Sequence, residues 1–287
     1  MATLYWGGGT GTWNDTSTAN WYTDFARTTL STRAPSAEDD VIFDSSSNAT
    51  GYTVTISGGR TVCRSCTISG PAGGSLTLAG SGTWYIYGDL TLPATGLTRT
   101  FTSTINFWGA GNYSITTNGV ALASVITFAG GGKRTLQDAL NNGSSNISVG
   151  STSATATGAE FDTNGYTVTC GTFQFSGSSG TIITLGASTV NCSGFTPVAN
   201  STVNAGTSTI NISVSNVGTS TFTGATFYNV NFTSTTYDTN IIYGNNTFNN
   251  LTFSTPTTAR MLSCLLGGNQ TVNGTLTISG QSAVNRH

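Results

Sequence analysis

Chemistry near neutral pH needs groups that titrate, attack or hold a metal, and this chain carries few of them. Its one histidine is His287, so a Ser-His-Asp or Cys-His arrangement has no base to work with. Glu160 and Asp162 stand two positions apart, which puts both on one face of a strand. A carboxylate pair is what glycoside hydrolysis requires. Asp162-Thr163-Asn164-Gly165 also has the composition of an ordinary turn, and the turn is the expected role. Glu38, Asp39, Asp40 and Asp44 form the densest acidic run. Such oxygen ligands can hold calcium, but the spacing is not that of an EF-hand. The run is read as a polar turn leading into a strand over Val41-Ile42-Phe43.

Cys63-Arg64-Ser65-Cys66 has the spacing of half a zinc site, with no second CxxC and no nearby histidine to complete it. The count of five cysteines is odd, which argues against a full disulfide framework. Cys170 and Cys192 are spaced to stack as small buried residues on successive turns of a repeat. Gly7, Gly9 and Gly11 alternate as in a phosphate-binding loop, but the flanking strand, helix and Lys-Ser/Thr ending are missing. Trp84, Tyr85, Tyr87 and Trp108 are a candidate glycan platform, set against the alternative that they fill a core or cap. The many Asn-x-Ser/Thr sequons, Asn112, Asn146, Asn211, Asn231 and Asn250 among them, are read as chance in an Asn- and Thr-rich chain. No catalytic residue, metal site or cofactor is expected.

The elements that would position these residues are strands. Only 7% of the residues are charged, 37% are hydrophobic, and 37 are glycine. Ordinary domains carry about 25% charge, so Thr, Ser, Asn and Gly must cover this surface. Apolar residues alternate with Asn and Thr, the period-two mark of a strand. Phe227-Tyr228-Asn229-Val230-Asn231-Phe232 returns as Phe248-Asn249-Asn250-Leu251-Thr252-Phe253, and the same step from Leu251 leads to Val272. Gly186-Ala187-Ser188-Thr189-Val190-Asn191 returns as Gly206-Thr207-Ser208-Thr209-Ile210-Asn211. Strands recurring at a nearly fixed interval are the rungs of a solenoid. The expected fold is all-β, a right-handed parallel β-helix, with Val168, Val190, Val203, Ile210, Val230, Leu251, Phe253, Val272 and Leu276 in its lumen.

Three segments are expected. Residues 1–44, rich in glycine and holding Trp6, Trp13 and Trp21, form an N-terminal cap or attachment segment covering an open sheet edge. Residues 45–150 form a first solenoid block. Residues 151–287 form a second, which can run on from the first. Gly130-Gly131-Gly132-Lys133-Arg134 reads as a flexible basic corner, and Thr135–Leu140 as the only stretch able to start a helix. Ser151–Thr157 is of low complexity.

The nine Lys and Arg residues are scattered and the formal net charge is −2, so no basic patch for nucleic acid is visible. No apolar run is long enough to span a membrane, and Met1–Trp6 lacks the features of a secretory signal. Trp6-Gly7-Gly8-Gly9-Thr10-Gly11-Thr12-Trp13, then Asn20-Trp21, then Asp39-Asp40-Val41-Ile42-Phe43-Asp44, followed by Thr/Gly/Asn-rich strands, resembles uncharacterised β-helical structural proteins of bacteriophages. That resemblance implies a virion component, made in the host cytoplasm: a tail fibre, head fibre or capsid decoration. It implies copies of the chain, as a homotrimer, and other virion proteins as partners, with a host surface glycan as a further one. A bacterial adhesin or carbohydrate-binding β-helix is the alternative, and a polysaccharide-degrading tailspike the third.

Overall fold

In the computed structural model the described residues are 1–70, 74–150, 158–175, 180–198, 201–213, 224–234, 239–254 and 263–279. Among them are strands and turns and no helix, so none is long and apolar enough to cross a membrane. Parallel sheets stack as a β-solenoid of about nine turns. The chain divides into two compact units, Met1–Asn141 and Asn142–His287, each described by itself.

In the first unit a coil is three short strands separated by corners. One coil runs Cys66–Ile68, Leu76–Gly80, Trp84–Ile86, and the next runs Leu90–Thr91, Leu97–Arg99, Ile105–Phe107. Alternation decides what goes inside. Along Tyr52–Ile56 the residues Tyr52, Val54 and Ile56 are buried while Thr53 and Thr55 face outward. Parallel pairing repeats this from coil to coil, with Val41 against Cys66, Cys66 against Leu90 and Leu90 against Ile115. The corners need glycine where backbones pass closely. A Cβ on Gly130 would lie 2.2 Å from the Gly109 carbonyl oxygen, and one on Gly109 would lie 1.8 Å from that of Tyr87.

The tryptophans of the first coil lie in the lumen. Thr3–Trp6 and Gly11–Trp13 are its strands, and the following excursion returns Trp21–Tyr22 antiparallel to the first of them. Trp6, Trp13 and Trp21 are fully buried. They pack with Phe43 and Trp84 at ring separations between 5.0 and 5.7 Å. Gly130–Gly132 turn a corner, but Lys133–Leu136 is a strand where a basic corner and a helix start were expected. Its Arg134 is buried, 4.7 Å over the Tyr113 ring, and donates to the carbonyls of Gly109 and Gly111. Glycine leaves the room that this guanidinium fills.

In the second unit the register is Val168, Val190, Ile210, Val230 and Leu251, one above another. Phenylalanines stack beside this column, Phe173 on Phe195, Phe227 on Phe248 and Phe232 on Phe253, the last at 5.0 Å with rings 5° apart. Val203, Val272 and Leu276 stand in register with the buried Ile183, Phe248 and Leu251, on the face expected for them, but Val203 and Val272 are half-buried and Leu276 is 53% exposed. The step from Leu251 leads to Leu276, whereas Val272 pairs with Phe248. The coil is longer than the one before it, 24 residues from Phe248 to Val272 against 21 from Phe227 to Phe248, and one extra residue at Asn273-Gly274 brings the step to 25 at Leu276. That residue forms a bulge in which the Asn273 and Gly274 amides donate to the Phe248 and Asn249 carbonyls. Ser151–Thr157 lies outside the described residues.

Candidate functional site

The aromatic platform is rebuilt by strand parity. Trp84 and Ile86 point into the lumen and are fully buried, so Trp84 is a core residue and presents nothing to a ligand. Tyr85, between them, faces outward. Tyr87 follows the strand end, its amide donating to the carbonyls of Cys63 and Arg64. Trp108 sits one coil further along, where its amide donates to the Ile86 carbonyl, and is 37% exposed. The Tyr85 and Trp108 rings meet edge to face at 6.2 Å. A fourth residue completes the group. The Arg60 guanidinium lies 4.5 Å over the Tyr85 ring and donates to the Tyr87 hydroxyl at 3.4 Å. Arg60 is exposed, and no ion pair to a carboxylate is seen for it among the described residues. Nothing in the chain's local pattern marks it, because it reaches Tyr85 and Tyr87 across the coil step.

The acidic run is held by arginines. Asp44 pairs with Arg27, Asp39 with Arg33 and Asp40 with Arg64, and Glu38 is exposed. The strand begins at Asp40. Asp40 lies in an outward groove of about 410 Å³ with Arg64, Asp89, Tyr113 and Ser114. Asp40 and Asp89 stand in one column, two coils apart, with Ser65 between them, a separation of about 10 Å at ordinary strand spacing. Two carboxylates at such a distance invite comparison with an inverting glycosidase. The electrostatics point elsewhere. Burial works to raise the Asp40 pKa, but hydrogen bonds and charge from Arg64 outweigh it and leave the carboxyl below its ordinary value. Asp89 accepts hydrogen bonds from the Ser114 amide and hydroxyl at 2.7 and 2.9 Å. Asp40 is thus held as an anion, the opposite of what a general acid needs.

Glu160 and Asp162 do share the outward face of a strand, with Phe161 buried between them. Asp162 accepts the Asn164 amide at 2.8 Å, and Asn164 and Gly165 take positive φ, so this is a turn built on a carboxylate. A surface cavity of about 750 Å³ is lined by uncharged residues around Gly70, Pro93 and Gly96, none of which titrates.

Cys63 and Cys66 both face the lumen, as do Cys170 and Cys192, which follow the paired residues Thr169 and Asn191 on successive coils. Burial pushes the Cys170 thiol up to about 12 and raises the other three well above the ordinary thiol value. Buried neutral thiols do not attack. Ellman's reagent is therefore expected to titrate none of these four in the folded protein and all of them after denaturation. Fast reaction of two or more thiols in the native state contradicts this placement. Among the described residues no three His, Cys, Asp or Glu side chains converge as a metal site.

The most regular outward feature belongs to the second unit. Thr209, Asn229 and Asn250 form one rank and Asn191, Asn211 and Asn231 a second. Asn211 donates its amide to Asn191, Asn231 to Asn211 and Asn250 to Asn229, at 2.8–2.9 Å. Asn229 donates to the Thr209 hydroxyl at 3.2 Å. The face bears no charge, and its amides are tied along the stack. No protein-family model, curated protein or solved structure matches this chain.

Proposed function

We propose that this chain is a structural component of a bacteriophage particle, a fibre, spike-like or capsid-decorating element that associates with copies of itself and performs no catalysis. The observation that carries the reading is the chemistry of its outer faces. One face of the second unit is an uncharged ladder whose amides bond to one another from coil to coil. Of the eleven carboxylates, the three in the acidic run that face arginines are locked in ion pairs. Such a surface builds length and stiffness, and Asp40, in its groove, is held in the ionisation state a proton donor must avoid. Self-association is supported by exposed apolar residues on both units: Phe25 and Leu30 on the excursion of the first, Leu276 and Ile278 on a strand of the second. A homotrimer is the expected assembly. The low charge and the Trp-Gly-rich opening segment support the particle as its location.

The direct test is peptide mass spectrometry of purified particles from cultures in which the gene is expressed, joined to light scattering of the isolated protein. The protein should co-purify in fixed stoichiometry with particle components and scatter as three chains. Its absence from particles, or a stable monomer at micromolar concentration, removes the reading.

A further inference from the structure

We infer that Arg60, Tyr85, Tyr87 and Trp108 form a binding site for an acidic glycan, a chain of sugar rings bearing carboxylates. The inference goes beyond the structural role and stands or falls independently of it. The aromatic part supplies apolar faces on a rigid support. Tyr85 is fixed between the fully buried Trp84 and Ile86, and Trp108 follows the buried Phe107. Little conformational entropy remains to be lost when a ligand docks on such rings. The exposed Trp108, held at an angle by Tyr85, presents an apolar surface that a pyranose ring can cover, while its hydroxyls stay in water.

The cation decides between neutral and acidic sugars. Arg27, Arg33 and Arg64 each have a carboxylate partner. Arg134 and Arg99 are largely buried and donate to carbonyls, Arg99 also to the Ser124 hydroxyl. Arg60 alone among these six is an exposed guanidinium with no carboxylate. It is oriented by a ring face on one side and the Tyr87 hydroxyl on the other, so most of its five N–H donors are available in a fixed direction. A preorganised guanidinium beside aromatic faces suits a carboxylate carried by a ring. A second copy of the chain is a weaker fit, because three of the four carboxylates of the chain's own acidic run are already paired.

The probes are tri-galacturonic acid, its methyl ester and oligosialic acid, titrated by calorimetry against the full chain. One of the two acids should bind with a Kd below about 1 mM, and more weakly as salt is raised. R60Q and W108A should each weaken it about tenfold or more, roughly 1.4 kcal/mol, and R60K should recover part of the loss. Both side chains are on the outside, so the far-UV spectrum and melting temperature should stay those of the parent. Y85A serves as a second aromatic variant should W108A melt early. No binding of either acid at about 10 mM, equal affinity for acid and ester, or undiminished binding by R60Q would each overturn the inference. These outcomes leave the particle and light-scattering tests untouched.

Discussion

Trp13→Ala is expected to destabilise the first unit by about 3–5 kcal/mol, the range for emptying a large aromatic from a packed core. Trp13 is fully buried, and its ring meets Trp21 at 5.4 Å, Phe43 at 5.6 Å and Trp84 at 5.7 Å. Those partners come from three separate strands, so the indole ties the excursion to the coils that follow it. In a solenoid each coil leans mainly on its neighbours. The loss should therefore be concentrated in the strands Gly11–Trp13, Asp40–Phe43 and Tyr52–Ile56 and fade toward Lys133–Leu136. Hydrogen exchange read strand by strand, with a denaturant midpoint from circular dichroism, checks both the size and its spread. Trp13→Phe, which keeps a ring, should recover more than half of the loss. A change under about 1 kcal/mol, or one felt equally in every strand, would show that the tryptophan cluster does not hold the first coils together.

Asp39→Asn is the second large effect, and it carries a pH signature. The Asp39 side chain is fully buried and is met by five donors. Both terminal nitrogens of Arg33 reach it, as do the Ser36 amide at 2.9 Å, the Ser36 hydroxyl at 2.7 Å and the Ala2 amide at 3.1 Å. Burial alone would raise its pKa, but the hydrogen bonds from Arg33 and Ser36 outweigh burial and hold the carboxyl well below the usual range. A carboxylate with a depressed folded pKa contributes stability that is complete above its unfolded value, near 4, and drains away as pH falls toward the folded value. Asp40, lowered by Arg64, adds to the same slope. The parent should lose stability steadily between about pH 4 and pH 2. Asp39→Asn should cost about 2–4 kcal/mol at pH 7, since an amide cannot accept from all five donors and the displaced ones are left buried. Its acid slope should be shallower. Parallel midpoint-against-pH curves for the two proteins would refute this reading of the pair.

Much of the fold was legible because alternation and glycine corners are local. The pairings Val190 with Ile210 and Val230 with Leu251 follow from repeated phrases. The bulge at Asn273-Gly274 was not legible, because it changes a 24-residue step into a 25-residue one without altering composition. The aromatic site was half legible. Alternation along Thr83–Tyr87 already separates Trp84 from Tyr85 and Tyr87, and applying it would have sent Trp84 inside. Arg60 was out of reach, since its partners come from the next coil and only the stacked structure brings them beneath it. Arg134 misled for a related reason. A basic residue after three glycines suggests a loose corner, yet Gly109, one coil earlier, leaves the room that buries it.

The asparagine ladder has an evolutionary consequence. Each coil donates an amide to the one beneath and accepts from the one above, at a step of 20 residues between Asn191, Asn211 and Asn231. An in-frame tandem duplication of one coil would place a new asparagine between two old ones with both of its bonds already provided. No orphaned amide would result, and the lumen column would continue through the insert. The height of such a stack is therefore open to change by single genetic events of one coil each, whereas substitution at a ladder position strands the amides on either side.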